Sequence, residues 1–152
     1  MKRFILVGLV FLLGICTGDG KAEPAPRVAK LAKLGLKATV PAVHEIVDAQ
    51  VGDGIWIRIP GATINVEAAT KSTPRTTKEA WKLNEMFSPK NARTEKLADG
   101  WAITFMNSAP KGTNYFVEVR RVIGGKAYLC ETVASGEEQQ AEALGICKSL
   151  QR

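Results

Sequence analysis

Residues 115–150 read YFVEVRRVIGGKAYLCETVASGEEQQAEALGICKSL, and the reading of this stretch decides the fold. Two alternating runs, 115–123 and 126–133, flank Gly124-Gly125, a pair suited to a two-residue hairpin loop. Such a loop sets the register: Ile123 faces Lys126, Arg121 faces Tyr128, and Val119 faces Cys130. Val117, Val119, Tyr128 and Cys130 then share one face of the hairpin. The chain next turns helical, with Ser135 and Glu138 in capping spacing. Glu137 and Glu138 stand at the helix start and Lys148 and Arg152 at its end, as the macrodipole favours. Ala143, Ile146, Cys147 and Leu150 form its inner stripe. A helix that lays Cys147 onto a sheet face presenting Cys130 is what a disulfide between them requires.

The sequence holds three cysteines, Cys16, Cys130 and Cys147. Without CxxC or HxxxH spacing, two isolated cysteines and the lone His44 do not make a metal site. A Cys130–Cys147 disulfide closes a loop of about 17 residues, for which chain entropy gives roughly 3 kcal/mol of stabilisation. Such bonds persist in oxidising compartments, and the start of the chain points to one. Lys2 and Arg3 precede an uncharged apolar run, 4–15, and then a small, polar exit, Thr17-Gly18-Asp19-Gly20. This is the order of a secretory signal. The run is shorter than the roughly 20 residues that span a bilayer.

Two processing routes stay open. Leu13-Gly14-Ile15-Cys16 resembles a bacterial lipobox, with Ile15 where that motif carries a small residue. On this route residues 1–15 are removed and Cys16 becomes the lipid-attachment site. The other cut follows Gly20-Lys21-Ala22 and removes residues 1–22 with Cys16 among them. Either fate accounts for the odd thiol. The segment TGDGKAEPAP, 17–26, reads as a tether. Residues 23–35 are expected to be a flexible or helical linker, because basic residues recur at 27, 30, 33 and 37, near helical period. Residues 36–152 form a single domain.

From Glu23 onward, 18 Lys plus Arg stand against 14 Asp plus Glu, a net +4. That excess is too small for the basic patch of a nucleic-acid binder. It tolerates an anionic membrane surface as a neighbour. Within the domain, 36–40 and 45–51 are short strand candidates. Residues 55–59, IWIRI, alternate cleanly, and Pro60-Gly61 turns the chain into a second alternating run, 63–68. Thr76 and Glu79 make a capping box for a helix over 78–87, with Ala80, Trp81, Leu83 and Phe87 mostly on one side. Strands over 93–97 and 101–105 follow, the latter placing Trp101, Ile103 and Phe105 on one face.

Trp56 and Arg58 lie opposite the isoleucines of their strand, so they are a candidate binding surface unless the 78–87 helix covers them. Arg121 and Tyr128 are placed to stack across the hairpin. His44, with Glu45 or Asp48, is the only acid–base candidate, and it is expected to be a loop residue. No nucleophile motif accompanies it, and no cofactor or metal site is indicated.

The order of elements and the tail, with its I-x-G-K-x-Y turn, S-x-E-E helix start and C-K-S-L close, resembles the PsbP-like superfamily. That superfamily includes photosystem lumen proteins and small bacterial exported proteins. The resemblance spans residues 36–150 in element order and 115–150 in sequence. It implies an α+β fold, an antiparallel β-sheet with helices packed on both sides in an α/β/α sandwich, here with one disulfide. It also implies a binding or accessory role rather than catalysis. The expectation is therefore an exported, membrane-anchored module of the bacterial cell envelope, periplasmic or attached to the outer membrane. Its rival is a small periplasmic hydrolase using His44.

Overall fold

The computed structural model describes residues 25–152; the segment read as an export signal, both expected cleavage points and Cys16 lie outside the described residues. In chain order the strands are β1 (Arg27–Leu31), β2 (Leu36–Val40), β3 (Glu45–Asp48), β4 (Ile55–Ile59) and β5 (Ala62–Ala68). After helix α1 (Thr77–Asn84) come β6 (Lys90–Leu97), β7 (Gly100–Ala109), β8 (Gly112–Ile123) and β9 (Lys126–Ala134), then helix α2 (Glu137–Lys148).

The β8–β9 hairpin forms in the register that its loop dictates, with Val119 opposite Cys130 and Ile123 opposite Lys126. Gly124 and Gly125 take φ of 57° and 78°, which side chains with a Cβ rarely adopt. Around this hairpin an antiparallel sheet grows in the order β3-β4-β5-β9-β8-β7-β6. Alternation sends Ile55, Ile57, Ile59, Ile64, Val66, Val117, Val119 and Cys130 to its inner face, where all are buried. Helix α2 lies on that face through Ala143, Ile146 and Cys147, and Leu150 follows just beyond it. Cys130 and Cys147 are joined as a disulfide, with Cα atoms 5.6 Å apart. The N-cap of α2 is Gly136 rather than Ser135. The Ser135 N–H instead donates to the Gly61 carbonyl at 3.0 Å, tying this corner to the β4–β5 turn.

The linker expected over 23–35 is corrected by the structure from Arg27 onward. Arg27–Leu31 is a strand paired antiparallel with Leu36–Val40, through a single 3-10 turn at Ala32–Leu34. Leu36, Ala38 and Val40 alternate inward with Leu31, so a strand buries more of this segment than a helical stripe would. Gly35, at φ 65°, makes the tight return possible. The basic residues 27, 30, 33 and 37 are all exposed and only line the outer edge. Backbone bonds of 2.7 and 2.9 Å between Lys37 and Gln151 fasten the hairpin to the chain end.

Helix α1 packs on the opposite face of the sheet. Its Thr76 cap accepts from the Glu79 N–H at 3.2 Å, while the Glu79 carboxylate accepts from the Arg75 N–H at 2.6 Å. Ala80 packs with Trp101 and Ile103 into a second, smaller core, flanked by Trp81. Asn84, four residues after Ala80, faces inward, and Leu83 is left 58 % exposed, contrary to the expected stripe. A 3-10 turn, Glu85–Phe87, carries the chain on across the sheet.

Arg121 does not stack on Tyr128. Its guanidinium forks onto Asp99 at 2.7 and 2.9 Å and also donates to the Lys148 carbonyl. This hydrogen-bonded pairing holds the Asp99 carboxyl below its ordinary value.

Candidate functional site: the outer face of the sheet

The face that bears α1 is set by the strand registers. Trp56 faces Asn65, Asn65 faces Glu131, Glu131 faces Glu118, and Glu118 faces Ile103. The neighbouring row holds Arg58 opposite Thr63, Val133 opposite Phe116, and Phe116 opposite Phe105. Helix α1 and its 3-10 extension lie over the β6–β8 side, against Trp101, Ile103 and Phe105. On the β3–β4–β5 side this face carries no helix among the described residues. The helix expected to cover Trp56 therefore covers Trp101 instead, because α1 packs on β7 while Trp56 lies on the far side of β5, β9 and β8.

Trp56 and Arg58 stay half-exposed and meet each other. The Arg58 guanidinium carbon lies 5.7 Å from the Trp56 ring centroid, and its Nη1 donates to Glu45 at 3.0 Å. That pairing takes Glu45 away from His44. The His44 Nδ1 is 2.7 Å from the Pro41 carbonyl oxygen, and Asp48 is exposed at the far end of β3, on the other face from Glu45. The structure does not assemble the three residues of the hydrolase reading into one site. Among the described residues no group of three or more His, Cys, Asp or Glu could hold a metal ion.

Between the two halves of the outer face runs a groove of about 360 Å³. One wall is aromatic: Phe105 and Phe116 stack at 4.4 Å between centroids, and Phe87 closes to 5.3 Å from Phe116. The other is polar, made by Asn65, Asn84, Glu118 and Glu131. The Asn84 Nδ2 donates to Glu118 at 2.8 Å and to the Ala80 carbonyl at 3.0 Å. The Asn65 Nδ2 lies 3.4 Å from Glu67, and the same amide partly stabilises the Glu131 carboxylate. Burial nevertheless holds the carboxyl of Glu118 above its ordinary value, with repulsion from Glu131 added. Glu131 is raised likewise, by burial first and then by Glu67. A larger groove, about 840 Å³, lies between the β2–β3 loop and α2, bordered by Pro41, Val43, Glu138 and Gly145. Its lining has no aromatic side chain.

The sequence singles out Trp56 and Arg58, marks Phe87 and Phe105 only as packing residues, and gives no role to Glu118, Glu131, Asn84 or Phe116. The hairpin register carried a signal for the acidic pair, since Val119 opposite Cys130 places Glu118 opposite Glu131.

An antiparallel sheet with helices on both faces, closed by a helix that returns onto the hairpin before it, is an α+β sandwich domain. Among solved structures the chain is similar to that of cyanobacterial PsbP (CyanoP) from Synechocystis. The TM-score is 0.53 at 14% identity, covering 91% of this chain and 97% of that one. The likeness is one of fold. No protein-family model matches the sequence, and no curated protein matches it either.

Proposed function

We propose that this chain is a non-catalytic binding or accessory module, exported and held at a bacterial envelope membrane through a lipid on Cys16. The observation that carries the reading is the outer face. It joins half-exposed Trp56 and Arg58 to an aromatic groove that no helix fully covers, the kind of concave, amphipathic surface on which recognition is built. The PsbP-like fold and the disulfide support it, the latter because such bonds persist outside the reducing cytosol. The basic edge of β1 and β2 would sit comfortably beside anionic headgroups.

Metabolic labelling with a fatty acid, followed by affinity capture from envelope extract, tests this. Label should be retained by the wild-type chain and lost in Cys16→Ser. A co-purifying component should be captured by the wild type and lost in the double variant Trp56→Ala/Arg58→Ala. An unlabelled wild-type chain would remove the anchor from the proposal. Capture that is indifferent to the double variant would remove the surface.

A further inference from the structure

The groove has a composition at odds with the rest of the molecule. The chain is basic, with a formal net charge of +6, yet the groove lining contains two carboxylates and no Lys or Arg. Glu118 and Glu131 stand directly opposite each other on β8 and β9, so their side chains emerge within contact range. Like charges so placed destabilise a sheet, and their only polar company in the groove is the amides of Asn65 and Asn84 and neighbouring Thr hydroxyls. Arg58, on the open side, is paired with Glu45 at the sheet edge. Arg120, two residues along β8, does not line the groove. Beside the carboxylates, Phe116 and Phe87 present an apolar wall, backed by the buried Phe105 on which Phe116 stacks, and Val133 stands 50 % exposed at the mouth.

We infer that this groove binds a small organic cation, a primary ammonium group carried on an aromatic or branched apolar body. The ammonium sits between the Glu118 and Glu131 carboxylates and the apolar body lies against Phe116 and Phe87. Its three N–H donors match acceptors that the protein leaves without a cationic partner. The phenylalanine faces are electron-rich and add attraction to a nearby positive charge. The groove's volume is in the range of small-ligand sites. A divalent metal is a poorer match, because a hard cation takes about six or more oxygen ligands and among the described residues no group of three or more His, Cys, Asp or Glu could hold one. The carboxyls raised by burial agree, since an entering cation offsets that penalty by favouring their ionised form. The inference rests on reading the chain as a binding module and names what that module takes.

The test is titration of the full-length chain with phenethylammonium, and with phenethyl alcohol as its neutral counterpart, followed by amide chemical shifts. Saturable shifts should centre on Phe116, Glu118 and Glu131. The alcohol, and the variants Glu118→Gln and Glu131→Gln at unchanged fold, should bind at least about tenfold more weakly. Equal affinity for amine and alcohol overturns the inference, and so do shifts centred elsewhere or the absence of saturation. Saturable binding only of a capped Phe-Lys dipeptide would overturn the small-molecule site and make the groove a peptide interface. If phenethylammonium fails while envelope capture still depends on Trp56 and Arg58, the groove assignment falls and the binding-module reading stands.

Discussion

Glu131 faces Glu118 across the hairpin and has Glu67 beside it, and burial raises its carboxyl above the ordinary 4.5. A carboxyl raised in the folded state holds its proton more tightly there than in the unfolded chain. Its contribution is therefore most favourable below the unfolded value and declines as pH climbs through the folded one. Glu131→Gln removes that decline. The variant should melt a few degrees above wild type at pH 7, with the gap closing by pH 4, in paired thermal scans. A constant gap across the range would mean that the gain has nothing to do with ionisation. A residue that costs stability where a ligand site is proposed fits the usual trade between stability and function. At this scale the sequence was half legible. Alternation sorted Trp56 and Arg58 from the isoleucines, and the Gly124-Gly125 register pairs the two glutamates. The partners that give these residues meaning, Asn84 from α1 and Phe87 from the turn after it, come from a distant segment that no local pattern positions.

Elements show where local pattern competes with tertiary demand. The hairpin of β8 and β9 was readable because its turn chemistry, alternation and register agree. Helix α2 was readable through its charges and inner stripe, so the disulfide followed from two elements rather than from cysteine count alone. Replacing both Cys130 and Cys147 by Ala should lower unfolding stability by roughly 3 kcal/mol in urea. Adding reductant should weaken wild type toward the variant and leave the variant unchanged. Strand β2 is legible at 36–40, but β1 is not, because basic residues at near-helical spacing outweigh a weaker inward alternation. Only burial decides between the two, and Leu31 at 0 % exposure decides it. Leu31→Ala should cost about 3 kcal/mol, as a buried leucine does. A loss under about 0.5 kcal/mol would return residues 27–35 to the linker reading.

At the scale of the whole molecule the two faces of the sheet are treated unequally, and function is argued from that inequality. The inner face is sealed by α2 and the β1–β2 hairpin, while α1 covers only the β6–β8 side of the outer face. The order of elements made the sandwich legible. The extent of α1's coverage was not, because where a helix settles across a sheet depends on non-local packing such as Ala80 against Trp101 and Ile103. Strand β4 offers a direct measure of the difference, since adjacent residues report on opposite faces. Ile57, fully buried, should cost about 3 kcal/mol when changed to Ala. Arg58 has 42 % of its side chain exposed and Glu45 has 59 %, so solvent screens their pair. Its contact with Trp56 is of the exposed kind, worth about 0.5–1 kcal/mol. Arg58→Ala should therefore lower stability by no more than about 1 kcal/mol in urea unfolding. If the two variants cost the same, the outer face is covered in solution, by another segment or a second copy, and Arg58 is not available to a partner. If the costs separate as expected, a capture experiment that loses its partner on Arg58→Ala reads recognition rather than unfolding.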